Sequence, residues 1–169
     1  MQKPVIRRRE ARDLAEAAEV LTAVHESDGY PVEGVEDPQG WLSPGGLLAA
    51  WVAESDGHVV GHVAVNSPQS GDEVARLWSE ESGANSSQVA VLARLFVASG
   101  ARKGSAGKHL VDAAVSYARA NELRLVLEVL AKDAAAIRLY ERLGWQRFGE
   151  TVHTFAGERF DAACFVAPA

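Results

Sequence analysis

Apolar and polar positions change their period several times along this chain, and each change marks an element. Leu14, Ala17, Ala18, Leu21 and Val24 recur at helical spacing behind Asp13, which predicts an amphipathic helix capped by Asp13 and broken near Gly29 and Pro31. Ahead of it, the partly alternating run "PVIRRRE" (Pro4–Glu10) predicts a short strand near a sheet edge. "LLAAWVAESDGHVVGHVAVNS" (Leu47–Ser67) predicts two strands joined by a tight turn at Asp56-Gly57. "QVAVLARLFV" (Gln88–Val97) and "RLVLEVL" (Arg124–Leu130) are almost uninterrupted apolar runs, as expected of strands buried on both faces. Between them Leu110, Val111, Ala114, Val115 and Ala118 form a helical stripe, and Asp133–Trp145 reads as a helix capped by Asp133 and stopped by Gly144. Weaker signals predict a helical turn around Trp41, a helical fragment at "EVARLW", a loop at "SGANSS", and last strands near Gln146–Thr154 and Ala162–Ala167.

The order strand, helix, strands, strand, helix, strand, helix, strands predicts an α/β (α+β) chain. Strand–helix–strand units imply parallel neighbours and the hairpin an antiparallel pair, so a mixed sheet with helices on both faces is expected. Neither repeats, nor low-complexity tracts, nor linkers interrupt the sequence, and residues 1–169 read as a single domain.

Composition narrows the function. Seventeen basic against 23 acidic residues give a net charge of −6, which argues against general nucleic-acid binding. No apolar run reaches the ~18 residues of a membrane span, and the basic N-terminus has no apolar segment behind it, so neither a membrane role nor a signal peptide is expected. The single cysteine, Cys164, excludes an internal disulfide, and no Cys/His spacing suits a metal. A cytoplasmic protein without a metal is the expectation.

The chemistry concentrates in "SGARKGSAGKHL" (Ser99–Leu110). Gly100, Gly104 and Gly107 permit close backbone approach, Arg102, Lys103 and Lys108 add positive charge, and a helix begins directly afterwards. Together they point to an anion site, with phosphate the best candidate, at a helix N-terminus. A dinucleotide fold is disfavoured because no acidic residue ends a strand ~20 residues beyond the glycines, and a P-loop because no Gly-Lys-Ser/Thr triplet closes the loop.

This loop, followed some thirty residues later by "AAIRLYERLGW", resembles the GNAT superfamily of acyl-CoA-dependent N-acetyltransferases. The family pattern Q/R-x-x-G-x-G/A falls on Arg102–Gly107, with Ser105 where the first glycine is usual. The later block matches through Ala136, Leu139, Tyr140, Gly144 and Trp145, with Asp133 replacing an asparagine. The resemblance extends loosely from Val5 to Val166. It implies a central sheet of about six to seven strands whose fourth and fifth members splay apart to admit the pantetheine arm.

What the resemblance further implies is an acetyl-CoA-dependent transfer to a primary amine by direct attack in a ternary complex. Coenzyme A would be held by Leu95, Phe96 and Val97 along the fourth strand, by Arg102, Lys103, Gly104, Ser105, Ala106, Gly107 and Lys108 in the loop, and by Asp133 and Ala136. Tyr140 would act as general acid toward the departing thiolate. Glu128, an acid inside an apolar strand, is expected either to pair with Arg94 on the neighbouring strand or to serve as the base. The base is otherwise unassigned, because Val91, Ala93 and Leu95 leave the fourth strand without an acid.

His25, Glu26, Asp28 and Tyr30 in "HESDGYP" are candidates for binding a small amine, the family's acceptor side; capped helix-end residues are the plainer reading. His62 reads as a satisfied strand residue, and His109 as chemically idle. Trp41 and Trp51 are core or pocket wall. A homodimer is compatible with the family. A catalytically degenerate acyl-CoA-binding regulatory module of the same fold stands as the alternative function.

Overall fold

Local sequence preferences account for most element boundaries in the computed structural model, which describes residues 3–169 with the side chains at 103 and 104 excepted. In chain order the elements are β1 (Val5–Arg8), α1 (Leu14–Asp28), α2 (Pro38–Leu42), β2 (Leu47–Ser55), β3 (His58–Asn66), α3 (Glu73–Ser82) and β4 (Val89–Val97). There follow α4 (Ala106–Ala120), β5 (Arg124–Leu130), α5 (Ala134–Arg142), β6 (Gln146–Phe155) and β7 (Glu158–Val166). The strands join in one seven-stranded sheet of order β1-β2-β3-β4-β5-β7-β6. β4 and β5 run parallel, with Val89–Val91 opposite Arg124–Val126, whereas β1/β2, β2/β3, β5/β7 and β7/β6 are antiparallel. The expected mixed sheet is present. By its contacts the chain divides into two compact units, each described on its own below.

The first unit contains the chain up to Asn66 together with Ala93–Ala114. Its core joins Ala17, Ala18, Leu21 and Val24 of α1 to Leu42, Val52, Val59 and Phe96, with Tyr30 and Trp41 packed against them. Each large side chain fully withdrawn from water here contributes roughly 1.5–3 kcal/mol. The β2–β3 hairpin turns at Asp56 (φ 53°) and Gly57 (φ 79°), the two left-handed residues that match the twist of paired strands. α1 ends at Gly29 (φ 74°), whose N–H donates to the His25 carbonyl.

Asp13 does not cap α1. Its carboxylate accepts two hydrogen bonds of 2.8 Å from the Arg7 guanidinium and one of 2.7 Å from the Glu10 N–H. A planar guanidinium fork outcompetes the orphan N–H groups of a helix start. Arg7, which also contacts Glu54 at 2.8 Å, holds the Asp13 carboxyl below the usual carboxylate range.

The second unit comprises Ser67–Leu92 and Val115–Ala169. In the β5–β7 ladder Glu128 lies opposite Cys164, and Leu127 opposite Phe165. Because side chains alternate across a sheet, these two rows face opposite ways. One face packs Val126, Cys164 and Val166 with Val74 and Ala75 of α3. On the other, the Phe165 ring meets Tyr140 of α5 at 6.3 Å, and Tyr140 in turn meets Trp145 at 5.5 Å. Gly144 (φ 87°) follows the end of α5 as expected.

Asp133 occupies the N-cap position of α5, but its side chain makes no capping hydrogen bond and instead lies 3.5 Å from Lys132 Nζ. β7 starts at Glu158, four residues before the predicted strand, because Ala156 (φ 52°) and Gly157 (φ 80°) form a second tight hairpin. Its first residues are polar because they pair only with the edge strand β6.

Candidate active site

The loop between β4 and α4 is a 3-10 turn, Ser99–Gly104, followed by Ser105 at φ 67°. Ser105 thus takes the left-handed conformation for which glycine is ordinarily selected. From this turn the chain enters α4 at Ala106, whose first N–H groups have no intrahelical acceptors. Such a start favours an anion through its free donors and the helix dipole. His109 donates from Nδ1 to the Ser105 carbonyl at 2.8 Å, which ties the turn to the helix and gives this residue a structural task. Lys108 is exposed, 3.6 Å from Asp112. Ala106 is buried and Gly107 half-buried, while the Lys103 and Gly104 assignments lie outside the described residues.

Arg102 is committed within the first unit. Its Nε donates to the Val97 carbonyl at 3.2 Å, and its Nη2 forms an ion pair with Asp28. Two residues assigned from sequence to different ligands are therefore in contact. Leu95 and Val97 are half-buried, but the Phe96 side chain is core: it stacks on His62 at 5.3 Å and meets Trp41 at 6.5 Å. Only its backbone is left for a ligand. Gly61 was not singled out by sequence reasoning. A Cβ there would lie 3.1 Å from the Phe96 carbonyl oxygen and 3.0 Å from Leu110, so this strand approach depends on glycine.

His62 is fully buried and satisfied on both ring nitrogens. Nδ1 donates to the Arg94 carbonyl at 2.9 Å, and Nε2 accepts from Arg9 at 3.0 Å. Burial, reinforced by the charges of Arg9 and Arg94, pushes its pKa down to about 4. The neutral ring is a structural bridge. Arg94 itself donates to the Trp41 carbonyl at 3.0 Å, and its guanidinium sits 4.4 Å from the Trp41 ring centre. A cation over an indole is already compensated there.

At the end of α1, Asp37 caps α2 through the Gly40 N–H at 3.1 Å, so it belongs to the local fold. Tyr30 packs edge-on to Trp41 at 5.8 Å, and Glu26 is exposed. His25 Nδ1 is buried without a hydrogen-bond partner among the described residues.

In the second unit Tyr140 is buried among Trp145 and Phe165, with Asp133 and Ala136 half-buried on the same helix start. Glu128 faces His153 of β6, with Oε1 3.9 Å from Nδ1. Sequence reasoning passed over His153 because nothing local distinguishes a histidine on an alternating polar strand. The Cys164 thiol is pushed up to about 11 by burial, with the Glu128 charge adding to the effect, so it is no thiolate nucleophile. Among the described residues no His/Cys/Asp/Glu group could hold a metal, and no helix is long and apolar enough to cross a membrane.

Comparison with known proteins places these features in context. The family model described as acetyltransferase (GNAT) family matches residues 12–145. Among solved structures, Arabidopsis thaliana NAA60 in complex with acetyl-CoA superposes with a TM-score of 0.71 at 23% identity, covering 97% of both chains. Ribosomal-protein-alanine N-acetyltransferase from Brucella melitensis gives 0.73 at 21% identity, over 96% of this chain and 98% of that one. N-acetyltransferase from Staphylococcus aureus Mu50 gives 0.73 at 16% identity over 98% of each. No curated protein matches by sequence. At these identities the structural likeness concerns the fold.

Proposed function

The chain belongs to the acetyltransferase (GNAT) family, and from that premise we propose that it transfers the acetyl group of acetyl-CoA to a primary amine of a small acceptor. The observation that carries the reading is the Ser105 turn, left-handed where the family pattern carries a glycine, from which the chain enters the N-terminus of α4. The N–H donors there, with Lys108 on the first turn and Arg102 beside Val97, suit the pyrophosphate of coenzyme A. The extended, amide-rich pantetheine arm suits backbone pairing along Leu95–Val97.

Chemically, the amine must shed a proton before it can attack the thioester carbonyl. As C–N forms and C–S breaks, the thiolate must gain one. Tyr140 is the proposed donor to sulfur, and Glu128 the proposed acceptor of the amine proton, directly or through water. A backbone N–H of β4 would polarise the carbonyl. Glu26, exposed at the end of α1, supplies negative charge attractive to a protonated amine, while Asp28 is already paired with Arg102.

The experiment is thiol release from acetyl-CoA across a panel of polyamines, amino acids, aminoglycosides and short peptides, beside calorimetry with coenzyme A. Turnover with one amine class supports the enzyme. Binding without turnover of any amine indicates a regulatory acyl-CoA module instead, and absence of binding removes the loop argument.

A further inference from the structure

The geometry points to His153 as the proton relay behind Glu128, an inference that rests on the acetyl-transfer reading above. Glu128 lies inside an otherwise apolar strand, with its side chain three-quarters buried and the His153 ring 3.9 Å away at Nδ1. His153 stands on β6, the last strand of the sheet, with its side chain one-third exposed. One end of the pair is therefore enclosed and the other reaches water. In register, β7 separates them: Glu128 lies opposite Cys164 and His153 opposite Phe160, on the same face. Between those positions β7 carries only Ala162 on that face, whose methyl group leaves room for two longer side chains to meet above it.

This arrangement answers a difficulty of the reaction. Each turnover liberates one proton: a protonated amine and acetyl-CoA become an amide, free thiol and H⁺. A carboxylate that takes the amine proton must discharge it before the next cycle. Imidazole is the side chain best suited to carry that proton near neutral pH. Glu128 receives the proton from nitrogen and passes it to His153 Nδ1, and His153 releases the Nε2 proton to solvent. The amine lone pair then forms the C–N bond as the C–S bond breaks; Tyr140 gives its phenolic proton to sulfur, and the second N–H proton, shed as the amide forms, returns the tyrosinate to its neutral form. At 3.9 Å the pair must close by about 1 Å or recruit one water, a contraction common when substrates bind.

Other charged groups on the elements around His153 are Arg147 and Glu150 on β6, mutually paired at 2.6 Å, and Glu158, Arg159 and Asp161 on β7. On α3, which packs beside β6, Arg76 is held by Glu73 and Glu80 at 2.6 and 2.7 Å. Burial keeps the Cys164 thiol on this face neutral. The Glu128 carboxylate lies 3.9 Å from the ring.

The test compares wild type, Glu128→Gln, His153→Gln and His153→Ala with the best amine of the panel, following kcat, KM and the pH profile. His153→Gln should lower kcat about tenfold or more with acetyl-CoA affinity unchanged, and should move the pH at which the rate reaches its plateau. Added imidazole should restore part of the rate to His153→Ala but none to Glu128→Gln. Wild-type rates in His153→Gln, or no rescue of His153→Ala, overturn the relay while leaving acetyl transfer standing; a wild type inert toward every amine overturns the underlying reading. Should the variants melt early, ¹⁵N-histidine NMR of wild type and Glu128→Gln reads the coupling with His153 in place. The His153 ring nitrogen shifts, which report its tautomer and hydrogen bonding, should change when the carboxylate is neutralised, and unmoved shifts overturn the proposal.

Discussion

Arg102 and Asp28, 74 positions apart in sequence, form an ion pair that joins the 3-10 turn ahead of α4 to the end of α1. The same guanidinium also donates from Nε to the Val97 carbonyl at 3.2 Å. A phosphate arriving at the loop must therefore compete with a carboxylate already in place. Asp28→Asn should tighten coenzyme A binding, by up to about fivefold at low salt, because exposed pairs contribute about 0.2–1 kcal/mol. Calorimetry at low and high ionic strength checks this, and the gain should shrink as salt screens the pair. Weaker binding in the variant would mean that Asp28 positions Arg102 for the phosphate.

The left-handed turn offers a test of the loop. Ser105→Gly should stabilise the protein by roughly 0.5–1 kcal/mol and leave coenzyme A affinity intact or improved, since glycine occupies φ 67° without a Cβ clash. Ser105→Val should cost about 1–2 kcal/mol or more, with weakened binding. Denaturant titrations with and without coenzyme A measure both. Equal stabilities across the three proteins would show that the turn is not under constraint.

His62 makes stability depend on pH. Its ordinary value is 6.5 and its folded value about 4, so the unfolded chain binds the proton first as pH falls. Its contribution is complete above pH ~6.5 and declines progressively to pH ~4, a total loss of about 3 kcal/mol from this group. Urea midpoints at several pH values should show that slope. His62→Gln should flatten it, while lowering stability at pH 7 through the disturbed contacts with Arg9 and Arg94.

Tyr140→Phe separates packing from chemistry. The ring is buried against Trp145 and Phe165, and phenylalanine preserves that volume, so the melting temperature should change little. kcat should fall by ~10²-fold with acetyl-CoA affinity nearly unchanged. Unaltered turnover when chemistry limits the rate would reduce Tyr140 to a core residue.

The sequence by itself determined the elements whose signal is local. Leu14–Val24 at helical spacing, Asp56-Gly57 between alternating runs, the apolar blocks at Val89–Val97 and Arg124–Leu130, and Gly144 after the last helix each encode a backbone preference over a few residues. The loop motif was legible for the same reason, even with serine in its glycine position. Side-chain partnerships were not, because they depend on what the fold brings near. Asp13 and Asp133 stand where caps belong, yet Arg7 and Lys132 took their carboxylates. Arg94 lies over the Trp41 ring, and Glu128 found His153 on a strand that pairs with neither β4 nor β5. A charge in a partly buried place takes whichever partner offers the best geometry at least desolvation, and only tertiary structure decides which partner that is.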